Sequence, residues 1–249
     1  MTMDIITERI EKLWLSEDDF IIEETDTEMS DIKEYSYCVL SVDIGIEHFG
    51  LSVTFLNNDF SIYEIGMIDM INIQKFPHNN VTKKNCKLQH TKSFCDWINH
   101  VFQENDLIFE KADFILIERQ PPCGLVGIEQ LIFSKWRDKS ILISPNSMHK
   151  FFNIGMYDYE QRKIKTEEIA RDVIIKYSKL IYEFTSYERK HDIADSICLM
   201  LYWIYNKQQE YIIIKRKMEL NNVCYRNSNL TLDEYFEQFR YNPIINYDK

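Results

Sequence analysis

Five short runs of β-branched, aromatic and aliphatic residues limit what this chain can become. Tyr37–Val42, Leu51–Leu56 and Phe60–Ile68 follow one another, separated only by the turn from Gly45 to Gly50 and by Asn57-Asn58-Asp59, the pattern of an antiparallel meander. Phe114–Ile117 and Ile141–Ile143 are short and apolar at every position, as strands buried on both faces are. Helical spacing fills the intervals. It recurs at Phe94, Trp97, Ile98, Val101 and Phe102, at Ile128, Leu131, Ile132 and Trp136, and at Ile169, Ala170, Val173, Ile174 and Tyr177. Thr166, followed by Glu167 and Glu168, is predicted to cap that third helix. A last core helix is predicted from about His191 to Asn206, its apolar face carrying Ile193, Ala194, Ile197, Cys198, Leu201 and Ile204. The resulting order is β-β-β-α-β-α-β-α-α.

No apolar stretch approaches the ~20 residues of a membrane span, so a transmembrane reading is excluded. The formal charge of −11 looks unsuited to a polyanionic partner until it is located. Residues 1–34 hold twelve acids against three bases, a net −9, which leaves −2 over residues 35–249. The expected organisation is an acidic, partly disordered N-terminal extension (1–34), a folded domain (35–207) and a C-terminal extension (208–249) with a short helix. That final helix would open at Thr231 and Glu234, which have capping-box spacing. The six cysteines lie far apart, with no CxxC pair, so free thiols and an intracellular location are expected.

Four acids stand where strands meet turns or helices. Asp43 ends the first strand ahead of Gly45, Glu118 ends the fourth, and Asp192 and Asp195 open the last core helix. Residues three apart share a helix face, so the last two can converge on one spot. If the first and fourth strands are neighbours and that helix crosses them, four carboxylates meet. Such a group is costly without a cation, because like charges in a half-buried site raise one another's pKa. Mg²⁺ would relieve it, since it prefers hard oxygen ligands. Singly, each acid has an ordinary explanation: a turn residue before Gly, a partner for Arg119, first-turn acids favoured by the helix dipole.

Taken together, Val42-Asp43-Ile44-Gly45 with Gly50, Ile115-Leu116-Ile117-Glu118-Arg119-Gln120, and Lys190-His191-Asp192-Ile193-Ala194-Asp195-Ser196 resemble the RuvC-type Holliday junction resolvases of the RNase H-like superfamily, in particular their poxvirus and large DNA virus branch. The resemblance spans roughly residues 37–207. It implies an α/β fold, an RNase H-like mixed five-stranded sheet flanked by helices. It implies that Asp43, Glu118, Asp192 and Asp195 are catalytic and bind metal, two Mg²⁺ (or Mn²⁺) ions per site, with no small-molecule cofactor. It further implies a homodimer that cuts branched double-stranded DNA symmetrically during viral replication or recombination, in the host cytoplasm or the virion, without a membrane. Basic residues grouped for phosphate contact are Lys83, Lys84 and Lys87 in one loop, Arg119 and Lys150, and Arg189 and Lys190 beside the acids. Phe49 and Phe76 are the aromatic residues placed to stack on bases. Two other readings stay open. One is the phosphate loop of the actin, Hsp70 and sugar kinase fold, poorly served by 6 glycines; the other is a non-catalytic binding module on the same scaffold.

Overall fold

A computed structural model describes residues 35–75, Leu88 and residues 92–221, with side chains through residue 216. The amphipathic and acidic N-terminal segment, Phe76, the lysines at 83, 84 and 87, and the helix expected beyond Thr231 lie outside the described residues. Five strands are present: β1 (Tyr37–Asp43), β2 (Phe49–Leu56), β3 (Ile62–Ile71), β4 (Phe114–Glu118) and β5 (Ser140–Ile143). They form one sheet in the order β3-β2-β1-β4-β5. The first three are an antiparallel meander, while β4 and β5 run parallel to β1. The helices are α1 (Phe94–Glu104), α2 (Asp106–Lys111), α3 (Val126–Lys135), α4 (Pro145–Phe151), α5 (Tyr159–Tyr177), α6 (Ile181–Ser186) and α7 (Lys190–Asn221).

The sheet is covered on both faces, as the uniformly apolar β4 requires. Val39 and Leu116 belong to a core shared with α5, α6 and α7, where Ile174, Phe184, Ile197 and Trp203 are buried. The alternate residues Leu40, Val42, Ile115 and Ile117 are equally buried. They leave the second face to α1, α2 and α3, which join through the ring contacts of Phe102, Phe109 and Trp136. Among the described residues no helix is long and apolar enough to cross a membrane. Cys38, Cys95, Cys123 and Cys198 are free, the first and last of them buried in the core.

Several details differ from the sequence reading. Thr166 is not a cap but a buried residue inside α5. Asp158 caps that helix instead, eight residues earlier, its carboxylate accepting from Gln161 N at 2.9 Å and so satisfying one of the first free amides. Phe60 precedes the third strand: it takes a left-handed φ of 60° in the turn that Asn57 closes. Pro145 does not merely end β5 but starts α4, the helix position where proline's missing N–H costs nothing. The last core helix runs on past Asn206 to Asn221. Phe49 is fully buried at the start of β2, so it packs in the core and cannot stack on a base.

Helix α7 lies unusually close to β1 and β2, along a seam of small residues. The Ser41 hydroxyl donates to the Ser196 carbonyl at 2.6 Å. The Ser196 hydroxyl in turn lies 3.2 Å from Ser52 Oγ and 2.8 Å from the Ile193 carbonyl. Gly50 completes the seam: a Cβ there would collide with the Asp192 carbonyl, coming within 2.7 Å of its carbon and 3.2 Å of Ile193 N. Gly50→Ala must therefore push the start of α7 away from the sheet. Its expected cost is about 1–3 kcal/mol, read from the urea midpoint. A midpoint equal to the parent's would show that the helix start yields freely.

Candidate active site

Asp43 and Glu118 reach one place through strand register. β1 pairs in parallel with β4, Ser41 opposite Leu116 and Val42 opposite Ile117, so the next positions with side chains on the α7 face are Asp43 and Glu118 at the two strand ends. Carboxyl ends of neighbouring parallel strands are where open α/β sheets present their ligands. The two side chains are hydrogen-bonded to each other. Two carboxylates in contact share a proton instead of both ionising.

The start of α7 adds the other two acids. Gly50, paired with Asp43 across the β1–β2 ladder, is also the residue against which the Asp192 backbone rests. That contact places Asp192 and Asp195 over the same strand ends. Burial raises the pKa of Asp43, and the charges of Glu118, Asp195 and Asp192 push it up further. Glu118 is also raised by burial, while its bonds to Asp43 and Gln120 pull the other way. Asp195 is pushed up to about 7, by burial first and then by Glu118, with the Thr166 hydroxyl and the Lys163 ammonium opposing. None of the four is wholly covered, so all remain open to a ligand from solvent. Among the described residues no three acid, histidine or cysteine side chains are already drawn round one point as a closed metal cage.

Several neighbours hold these acids in place. Gln120 Nε2 donates to Glu118 Oε2 at 2.8 Å, its Oε1 accepts from Leu125 N at 3.3 Å, and its own backbone N–H donates to the buried Glu129 at 2.6 Å. Arg189 Nε donates to Asp192 Oδ2 at 3.2 Å, and His191 Nε2 lies 3.4 Å from Asp192 Oδ1. Burial lowers the His191 pKa, and the nearby Lys163 and Arg189 charges reinforce the shift against Asp192 and Glu167. Arg189 thus lies at the site, half committed to Asp192. Lys190, at the first position of α7, is partly covered. Arg119 and Lys150 are exposed, on the strand end and on α4. Gln120, Lys163 and Thr166 were not singled out as site residues from sequence. Only Gln120, two positions from Glu118 on a strand end, carried a local signal; the α5 pair arrives through tertiary packing.

The sequence matches the family described as Poxvirus A22 protein over residues 37–207. No curated protein sequence matches it. Among solved structures it is similar to the fowlpox virus resolvase in complex with substrate Holliday junction DNA, at 20% identity, with 68% of this chain and 97% of that one covered and a TM-score of 0.50. It is also similar to the yeast mitochondrial Holliday junction resolvase, at 17% identity, with 76% and 87% covered and a TM-score of 0.51. These likenesses carry the fold: the mixed five-stranded sheet with flanking helices is the RNase H-like architecture expected from the motif order.

The raised carboxyls make stability depend on pH in a stated direction. With a chelator present, Asp195 keeps its proton in the folded chain up to about pH 7, whereas an unfolded Asp releases it near ~3.9. Between those values the folded state binds more protons, so this contribution is full below pH ~4 and is lost as pH rises towards 7. Asp195→Asn should flatten that fall in denaturant midpoints measured across the window. A fall of the same size in parent and variant would reject the assignment.

Proposed function

The chain belongs to the family described as Poxvirus A22 protein, and on that premise we propose that it is an endonuclease that resolves four-way and related branched DNA junctions by phosphodiester hydrolysis assisted by divalent cations. The observation that carries this reading is the meeting of Asp43, Glu118, Asp192 and Asp195 at the carboxyl ends of β1 and β4. The resemblance to two resolvases, one of them bound to Holliday junction DNA, supports the same substrate class here.

The donor set fits Mg²⁺ or Mn²⁺. Hard carboxylate oxygens suit these ions, and Mg²⁺ typically takes one or two protein carboxylates and fills its remaining positions with water and substrate oxygens. A partly open group of acids therefore serves it better than a closed cage. Asp43, Glu118, Asp192 and Asp195 would hold the ions, and four acids suffice for two. Once bound, the cations supply Lewis acidity toward a phosphodiester oxygen and toward water. The chain's own residues do the rest. Gln120 fixes which oxygen of Glu118 faces the site. Thr166 and Lys163 steady Asp195 as an anion. Arg189, bonded to Asp192, is near enough to offset phosphate charge.

Two symmetric cuts call for two such sites related by a two-fold axis, so the acting species is a homodimer. Residues 35–207 form the nuclease domain in this reading, residues 1–34 and 208–249 being appendages. The work would belong to a large DNA virus, where its genome is replicated in the host cytoplasm or carried in the virion.

With Mg²⁺ or Mn²⁺ the full chain should cut a synthetic four-way junction at paired positions, and Asp43→Asn or Asp195→Asn should slow cleavage at least ~100-fold. Unaltered rates in both variants would end the assignment. The protein on a junction should sediment as a dimer; monomer alone would remove the resolving role and keep only a nuclease. Gln120→Ala acts on orientation. It should weaken Mn²⁺ binding by roughly 10–100-fold, read from the metal-dependent rise in melting temperature, while Gln120→Glu should not restore the amide's donation.

A further inference from the structure

A cavity of about 350 Å³ lies between α4 and the first turns of α5. Its polar lining is Asn146, His149, Lys150, Asn153 and Arg162, and the remaining lining residues are uncharged. Among the described residues, then, no acid faces this space while two permanent cations do. The His149 pKa is lowered by burial and by the Arg162 charge, so that guanidinium is felt inside the cavity and the imidazole is a neutral hydrogen-bonding group there.

The cavity walls are fixed by the backbone. Asn153 takes a left-handed φ of 56°, and its turn is closed by Asn153 N to Lys150 O at 3.2 Å and Ile154 N to His149 O at 2.9 Å. Arg162 Nη1 donates to the Tyr157 carbonyl at 3.0 Å, which leaves the rest of its planar fork for a ligand. Position relative to the acids follows from two adjacencies. Arg162 precedes Lys163, whose charge acts on Asp195. α4 follows β5, whose last residue Ile143 pairs with Glu118.

We propose that this cavity is a second phosphate site, in which Lys150 and Arg162, with the amides of Asn146 and Asn153 as neutral donors, hold a backbone phosphodiester of the DNA strand that enters the carboxylate centre. The inference rests on the nuclease reading and adds the means by which the strand is held in register. Volume supports it: ~300 Å³ is the lower end of ligand pockets, enough for a phosphodiester with part of a sugar. Two cations without a facing acid suit an anion, and the fork geometry of arginine matches phosphate oxygens.

The test uses the full chain carrying Asp195→Asn, so that the substrate survives, and a fluorescent four-way junction titrated over a salt series. Adding Lys150→Gln and Arg162→Gln should lower affinity about tenfold or more and reduce the slope of log K against log salt by about 1, as loss of one phosphate contact requires. Lys150→Arg with Arg162→Lys, which keeps both charges, should retain the slope, so a fall common to both pairs would be a packing effect and would overturn the proposal. An unchanged slope and affinity in the glutamine pair would overturn it as well. Inorganic phosphate supplies the other arm. Micromolar binding of it, seen in the His149 ring resonances, together with an unaffected junction slope would assign the cavity to free phosphate and reject the DNA role. Failure of the nuclease reading would look different: a parent that binds junction with the full slope but never cuts it keeps this site and loses the enzyme, whereas a parent that binds no DNA loses both.

Discussion

The contact between the first turn of α7 and β2 at Gly50 is the constraint on which the site depends. A helix normally rests on a sheet through bulky side chains, but here Gly50, Ser41, Ser52 and Ser196 let the backbones approach. The three serine hydroxyls are buried, which would be unfavourable if they lacked partners. Each has one. Their bonds are directional, so they also set the helix along its axis. A slip of one turn, ~5.4 Å, would leave Asp192 and Asp195 away from the strand ends. An apolar seam could supply the same burial and would not resist that slip.

What the seam positions is electrostatically unfavourable on its own. Four acids gather where helix and strands converge, and burial raises the pKa values of three of them, Asp43 and Asp195 being pushed up further by the neighbouring carboxylates. The fold tolerates this because the sheet is buried on both sides, by the α5–α7 core and by the ring cluster of Phe102, Phe109 and Trp136. The polar neighbours relieve only part of the strain. Lys163 and Thr166 act on Asp195, Gln120 on Glu118 and Arg189 on Asp192, and Asp43 is left to share a proton with Glu118. A chain that retains such an arrangement gives up stability at a place where a cation would return it.

Much of this was legible in the residues, and the exceptions share a cause. The strands announced themselves by β-branched runs and turn residues, and Asp43, Glu118, Asp192 and Asp195 stood out because each ends or begins an element. Thr166 misled because Thr ahead of two glutamates is also what a capped helix start looks like. Only the packing of α5 against α7 reveals that its hydroxyl turns inward to Asp195 and to the Lys163 carbonyl, 3.1 Å away. Phe49 misled in the opposite sense, since proximity to Asp43 in sequence hides the pleat that sends it into the core. Lys150 stood out in sequence as a basic residue for phosphate contact, but the cavity it shares with Arg162 did not, because its walls come from a turn and two helices whose angle no local pattern encodes.

Charge placement, more than charge total, decides how such a chain can meet DNA. Set aside the four central acids and residues 35–249 carry 26 basic and 24 acidic residues, close to balance. A balanced surface gives little long-range steering, so affinity has to come from phosphates contacted at short range. On the proposed reading two fixed points would serve that purpose: the carboxylate centre, which would take a phosphodiester through cations, and the cationic cavity between α4 and α5, which would take one directly. Their separation is set by the sheet, β4 to β5 and on into α4, and a rigid separation selects for backbone geometry. In a two-fold dimer the same pair of points would be repeated, and a substrate satisfying all four at once would be defined by the directions of its strands and not by their sequence.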